Sequence, residues 1–215
     1  MADTEFPQIR PAGVILAGGR SRRMGQGPKA LATLGEKPLL QHVIDRVAPQ
    51  VSDLMLSVEH PDERLAAFGL PQFADPEPDA GPLAGLLTAL DNLGPEHRWL
   101  LLVPCDAPFL PTDLAVRLLE RAGDCALPAA VVSYRSELQP TFSIWHSSVR
   151  RRLEKAVKGG MMAGFKQFLQ IMDAAVLEWP VADRSPFFNI NDPQALRKAG
   201  SLLDAQTVTR SSCSV

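Results

Sequence analysis

The sequence predicts a single α/β domain with a mostly parallel central sheet and helices on both faces. Three observations carry the prediction. Short apolar runs that stop abruptly, Gly13-Val14-Ile15-Leu16-Ala17 and Trp99-Leu100-Leu101-Leu102-Val103, read as buried strands. Between and after them, apolar residues recur at helical spacing. Strands and helices then alternate through the first half of the chain, the order a parallel sheet with crossover helices requires.

Each element has its own signal. The first strand ends in Gly18-Gly19. Leu39, Leu40, Val43, Ile44 and Val47 form a helical stripe that Pro49 stops, and Asp53 to Val58 alternates as a second strand. Gly81-Pro82 opens a helix with proline at its first position, where the missing N–H costs nothing. Its stripe is Leu83, Leu86, Leu87 and Leu90, and Gly94 closes it. After the Trp99 strand, a helix from Thr112-Asp113 runs through Leu114, Leu118 and Leu119 to Gly123. In the second half, 129–134, 141–145 and 175–179 read as strands, and 149–157 and 165–171 as helices. A last helix over 193–203 is capped by Asp192. The expected organisation is a mobile leader over 1–12, one domain over 13–203 and a disordered polar tail over 204–215.

Composition narrows the function. With 215 residues, 46% hydrophobic and 21% charged, the chain can bury a full core and is not disordered. Twenty-two Lys and Arg against 24 Asp and Glu leave a net charge of −2, which argues against a nucleic-acid partner. Three widely spaced cysteines form no disulfide framework and fit a reducing compartment. The acidic start has no apolar run behind it, and no stretch approaches the roughly 20 residues of a membrane span. The expectation is a cytoplasmic protein with no membrane partner. Its 19 prolines punctuate loops rather than form a repeat.

The most informative stretch is Leu16-Ala17-Gly18-Gly19-Arg20-Ser21-Arg22-Arg23-Met24-Gly25-Gln26-Gly27-Pro28-Lys29. It follows the first strand directly, where open α/β sheets place their ligands. Paired glycines let successive N–H groups converge on an anion, and three arginines with a lysine would neutralise a polyphosphate. The P-loop pattern fails, because Lys29 lies between Pro28 and Ala30. The loose dinucleotide match at Gly25–Ala30 fails too, since it follows no strand and its proline removes a donor. The bland alternative is a solvated basic turn.

A second loop, Pro104-Cys105-Asp106-Ala107-Pro108-Phe109, leaves the Trp99 strand at the same sheet edge. Asp106 there suits Mg²⁺, which takes one or two carboxylates plus phosphates and water; the alternative is a strand-ending turn. Cys105 as a nucleophile lacks support, because His42, His60, His97 and His146 sit in no pairing motif. The loop from Asp75 to Gly85 leads into a helix N-terminus suited to an anion or a base edge, and Asp75 can accept from a donor-rich ring such as guanine. A helix cap with solvated acids reads equally well. Alternation in Phe187-Phe188-Asn189-Ile190-Asn191-Asp192 puts Asn189 and Asn191 on one face, where their amides could read a polar heterocycle; otherwise it is a strand ahead of a cap. Arg150-Arg151-Arg152 with Lys155 and Lys158 reads as a solvated helix face.

Taken together, these blocks resemble a known family. Leu16-Ala17-Gly18-Gly19, Ser21, Arg23-Met24-Gly25 and Lys29 resemble the nucleotidyltransferase signature. With Gly81-Pro82-Leu83-Ala84-Gly85, Pro104-Cys105-Asp106, Pro108-Phe109, Gln139-Pro140-Thr141 and Phe188-Asn189-Ile190-Asn191, the chain resembles the molybdenum cofactor guanylyltransferases from about Val14 to Leu196. The resemblance implies a Rossmann-like nucleotidyltransferase fold and transfer of GMP from MgGTP to molybdopterin, giving a guanine dinucleotide and pyrophosphate. It implies nucleotide contacts at Leu16, Ala17, Gly18, Gly19, Lys29, Ser57, Asp75 and Asp106, with Asp75 toward guanine and Asp106 as the Mg²⁺ ligand. Gln139, Pro140, Asn189 and Asn191 would face the acceptor. Two positions depart from the family: Pro28 stands where an Asp usually precedes the lysine, and Ser57 where an Asn contacts the nucleotide.

The implied chemistry suits these residues. The attacking group is an already ionised phosphate, so no general base is needed; charge neutralisation and in-line alignment are. Arg23 and Lys29 would stabilise the leaving pyrophosphate, beside Mg²⁺ on Asp106. Expected partners are GTP, molybdopterin, and the enzyme that inserts molybdenum or the molybdoenzymes that receive the cofactor, with the chain acting as a monomer. The alternatives are a relative using CTP or a sugar-phosphate acceptor, and a nucleotide-binding regulator without catalysis.

Overall fold

In the computed structural model, the structure describes residues 10–18, 28–75, 81–159 and 164–211, with side chains up to 203. The expected contacts at Gly19 and Arg23 lie outside the described residues.

The chain opens with β1 (Ala12–Leu16), beginning one residue before the expected run. A two-stranded ribbon of β2 (Thr33–Leu34) and β3 (Lys37–Pro38) leads into α1 (Leu39–Val47), and Pro49 sits in the short 3₁₀ turn that follows. Then come β4 (Leu54–Val58), the single-turn α2 (Glu63–Ala66), β5 (Gln72–Ala74) and α3 (Pro82–Asp91). Next are β6 (Trp99–Pro104), α4 (Leu114–Asp124), β7 (Ala129–Tyr134) and β8 (Glu137–His146). The chain continues through α5 (Arg150–Lys158), α6 (Phe165–Ile171), β9 (Ala175–Glu178) and α7 (Pro193–Ser211).

One seven-stranded sheet has the order β5-β4-β1-β6-β8-β7-β9. β1, β4, β5 and β6 are mutually parallel, and β7 runs parallel to β9. β8 alone is antiparallel to both of its neighbours. The mostly parallel sheet is as expected, with β8 inserted against its direction.

Strand alternation divides the core between the two faces. Ile15, Leu101 and Val103 pack with Leu40, Val43 and Val47 of α1 and Leu114 and Leu118 of α4. Val14, Leu100 and Leu102 pack on the opposite face with Leu83, Leu86 and Leu90 of α3, Leu153 of α5 and Phe168 of α6. Helices therefore cover both faces, which is why the β1 and β6 runs are apolar throughout.

Four features depart from the sequence expectation. β8 starts at Glu137 rather than Thr141, because a bulge between its Gln139 and Ser143 pairings takes up Pro140 without a ladder bond. Ser143 Oγ bonds the Pro140 carbonyl at 2.8 Å and accepts the buried Trp145 indole N–H at 2.8 Å, which anchors the bulge. β5 is only three residues long, too short for periodicity to show. The β2–β3 ribbon is shorter still. Finally, α7 runs on to Ser211, past Leu203; positions 204–211 contain neither Gly nor Pro to break it. Asp192 caps this helix as expected, its Oδ1 accepting from Ala195 N at 2.8 Å.

Candidate functional site

The carboxyl ends of the four parallel strands β1, β4, β5 and β6 meet at one edge, and the backbone ties them together there. Ala17 and Gly18 N–H both donate to the Ser57 carbonyl, at 2.8 and 3.0 Å, drawing the end of β1 onto β4. Cys105 N–H donates to Leu16 O at 3.1 Å, which brings the acidic loop to β1 from the other side. Asp75 N–H donates to Val58 O at 3.0 Å, setting Asp75 just beyond β5.

Gly18 is closely packed against β4: a Cβ there would lie 3.0 Å from the Glu59 amide nitrogen and 3.3 Å from the Val58 carbonyl carbon. Gly85, in the first turn of α3, is tighter: a Cβ would come within 2.6 Å of Ser57 Oγ and 2.7 Å of a Leu16 methyl. α3 thus packs directly against the ends of β1 and β4.

Two side-chain groups sit on this frame. In the first, the Lys29 ammonium forms an ion pair with Asp106 Oδ2 and donates to Asn191 Oδ1 at 2.6 Å. Pro28 is extended, with φ −61° and ψ 132°, and delivers Lys29 into a 3₁₀ turn. The Asp106 carbonyl accepts from Ile190 N at 2.9 Å, so the Asn189–Asn191 segment is pinned to the acidic loop. Asp106 is 8% exposed, and its Oδ1 is buried without a hydrogen-bond partner. Asn189 Oδ1 is likewise buried and unpartnered.

In the second group, Ser57 Oγ donates to Asp75 Oδ1 at 3.0 Å. Burial pushes the Asp75 carboxyl above the usual carboxylate range and Glu59 adds to the rise, while Ser57 and Thr88 oppose it. Thr88 is buried on α3, beside Asp75, and its hydroxyl makes no hydrogen bond of normal geometry. Sequence reasoning missed Thr88; its one signal was a hydroxyl in a helix otherwise buried and apolar, three residues after Gly85.

The remaining sites fall at the same edge or are settled locally. β8 is antiparallel to β6, so Gln139 and Pro140 near its start stand at the carboxyl edge, Gln139 Nε2 bonding Glu137 O at 3.4 Å. Burial and the Asp106 charge push the Cys105 thiol up to about 12, so it stays protonated at neutral pH and is no nucleophile. The basic face of α5 is partly ion-paired: Arg150 with Asp91, and Lys158 with Glu154 at 2.8 Å.

Asp106 offers a hard cation one carboxylate oxygen without a hydrogen-bond partner, the donor type Mg²⁺ selects, and among the described residues no group of three His, Cys, Asp or Glu side chains gathers that could hold a metal ion. A polyphosphate along this edge would have its charge offset by Lys29 and by a cation on Asp106, with no covalent step available from Cys105. This arrangement suits the charge neutralisation that nucleotidyl transfer requires.

Comparison with known proteins gives the family. Residues 13–183 match the MobA-like NTP transferase domain. Over 190 residues, the chain is 38% identical to a molybdenum cofactor guanylyltransferase of Rhodopseudomonas palustris strain BisB5, covering 86% of this chain and 90% of that one. It is 40% identical over 196 residues to the enzyme of the same name from strain HaA2, covering 89% and 92%. Among solved structures, molybdopterin-guanine dinucleotide biosynthesis protein A from Archaeoglobus fulgidus superposes with a TM-score of 0.70 at 22% identity, covering 90% of this chain and 99% of that one. The chain belongs to the MobA-like NTP transferase family.

Proposed function

We propose that the protein transfers GMP from GTP to the terminal phosphate of molybdopterin, releasing pyrophosphate. An oxygen of the molybdopterin phosphate forms a bond to the α-phosphorus, and the α–β bridging bond breaks. The observation that carries this reading is the contact of Lys29 with Asp106 at the carboxyl edge, with Asp106 Oδ1 left unpartnered. The names of the relatives, both molybdenum cofactor guanylyltransferases, support the choice of substrates.

Each residue has a distinct task. The ends of β1 and β4, closed on each other by the Ser57 carbonyl, form the floor on which the nucleotide would lie. Asp75 accepts from the guanine N1–H and 2-amino group, a donor pair that adenine and cytosine do not present. Lys29 leaves Asp106 for the β- and γ-phosphates and stabilises the charge that develops on pyrophosphate. Asp106 would hold Mg²⁺, which would supply Lewis-acid withdrawal of charge from the α-phosphate. The donors on Asn189, Asn191 and Gln139 face the acceptor. Both substrates are small anions met in the cytoplasm; no described helix is long and apolar enough to cross a membrane.

Thermal unfolding with each of the four NTPs plus Mg²⁺ tests this. At a hundred times its dissociation constant, a ligand adds about 2.7 kcal/mol of stability. GTP should raise the melting temperature and ATP and CTP should not; a larger shift with CTP moves the assignment to cytidylyl transfer. Turnover with molybdopterin and MgGTP should then release pyrophosphate.

A further inference from the structure

Ser57, at the carboxyl end of β4, has its hydroxyl engaged within the protein. Ser57 is 2% exposed, and its Oγ donates to Asp75 Oδ1 at 3.0 Å. Gly85 of α3 is seated close beside it: a Cβ there would stand 2.6 Å from that oxygen. The hydroxyl is spent on Asp75.

Thr88 completes the arrangement from the other element. It lies three residues after Gly85 on the face of α3 that backs against Ser57. A threonine inside a helix ordinarily returns its hydroxyl to the carbonyl one turn earlier. Here Oγ1 is buried without a hydrogen bond of normal geometry, and it stands near enough to the Asp75 carboxylate to favour its charged form. A buried donor without a partner is unfavourable unless another state of the site satisfies it. The group beside it with an acceptor to offer is the Asp75 carboxylate.

We propose that Ser57 and Thr88 are positioning residues that hold the Asp75 carboxylate ionised and aimed at the base, acting through Asp75 and not on the nucleotide. The proposal rests on the reading of Asp75 as the guanine acceptor. The two guanine donors need both carboxylate oxygens with free lone pairs, and a protonated Asp75 would present a donor in place of one of them. Burial and Glu59, at the end of β4, press Asp75 toward that protonated form. From β4 and α3 the groups opposing them are these two uncharged hydroxyls. Each can bond one carboxylate lone pair and leave the others to the base.

The test follows Asp75 directly. Its carboxyl carbon is titrated by NMR in the ligand-free full-length chain, for wild type, Ser57→Ala, Thr88→Val and Thr88→Ser. In parallel, kcat and KM are measured with GTP and with ITP, which lacks the 2-amino group, across pH. Ser57→Ala and Thr88→Val should each raise the Asp75 titration midpoint and move the acidic limb of kcat/KM to higher pH. Both should raise KM for GTP about fivefold or more and leave kcat within about twofold, since an interaction with the base is lost rather than one with the reacting phosphates. Thr88→Ser should restore wild-type behaviour. An unchanged Asp75 titration in both variants, with a lowered melting temperature only, would overturn the proposal and leave the hydroxyls a packing role. A wild type that does not discriminate GTP from ITP overturns the guanine assignment of Asp75 instead, and the NMR titration still decides the hydroxyl–carboxylate relationship on its own.

Discussion

The Lys29 ammonium and the Asn191 carboxamide oxygen, 162 residues apart in the chain, meet at 2.6 Å. Lys29 has a second partner in Asp106, so the lysine is held between two acceptors supplied by different loops. Pro28 before it offers no side-chain acceptor, and the lysine takes an orienting oxygen from Asn191, far away in the chain. Lys29→Ala should therefore lower turnover at least tenfold, about 1.4 kcal/mol of transition-state stabilisation, with the fold intact by circular dichroism. Asn191→Ala should lower kcat by a smaller factor, since the lysine keeps its charge and loses one support. Pro28→Asp should change kcat much less than Lys29→Ala. Wild-type turnover from Lys29→Ala would show that the lysine does not reach the phosphates.

Asp106→Asn removes charge while keeping shape. An amide oxygen is a far poorer ligand for a hard cation than a carboxylate, and the Oδ1 now without a partner is the atom that matters. Turnover with MgGTP should fall below about a tenth of wild type, more than 1.4 kcal/mol in the barrier. Steady-state rates over a Mg²⁺ titration decide it: activity retained at ordinary Mg²⁺ would take Asp106 out of the metal site.

Asp75 sets stability against function. Its folded pKa lies above the unfolded value, chiefly because of burial. The folded state therefore binds the proton more tightly, and the ionised carboxylate destabilises the protein above its folded pKa. That cost is relieved as pH falls through the folded pKa toward the unfolded one near 3.8. Asp75→Asn should raise the melting temperature of the ligand-free protein at pH 7, with the difference shrinking toward pH 4, and should weaken GTP binding. Calorimetric scans across that range check the sign; a variant less stable than wild type at neutral pH contradicts it.

Gly85→Ala tests how closely α3 is seated. The added methyl would stand 2.6 Å from Ser57 Oγ and 2.7 Å from a Leu16 methyl, so α3 or the ends of β1 and β4 must shift. The ordinary gain of alanine over glycine in a helix, about 1 kcal/mol, should be outweighed by overpacking of about 1–3 kcal/mol. Urea unfolding should show a net loss of stability, and KM for GTP should rise because the displaced side chains border Asp75.

Much of the frame is legible in the amino-acid sequence. β1, α1, β6, α3 and α4 announced themselves because a buried strand, or the inner stripe of a helix, must repeat apolar residues at its own period. Pro82 at the start of α3 and Asp192 before α7 were equally readable, since an end of a helix is a local hydrogen-bonding problem solved by nearby residues. The candidate residues on the loops after β1 and β6 were legible for a topological reason: parallel strands all deliver their next loops to one edge.

Pattern along the chain alone thus determined the alternating elements, the sheet edge where the loops after the parallel strands gather, and which described residues there carry charge. Tertiary structure decided the rest. That β8 enters between β6 and β7 against their direction, with Pro140 in a bulge, depends on strand pairing between segments distant in sequence, which no local period encodes. The same holds for β5, whose three residues become a strand because β4 offers an edge. At the site, sequence placed Lys29, Ser57, Asp75, Asp106 and Asn191 as separate candidates. Packing sorted them, setting Lys29 between Asp106 and Asn191, and Ser57 against Asp75 with Thr88 behind it. A side chain's type states which bonds it can make, and the three-dimensional fold chooses the partner by bringing a particular acceptor within about 3 Å.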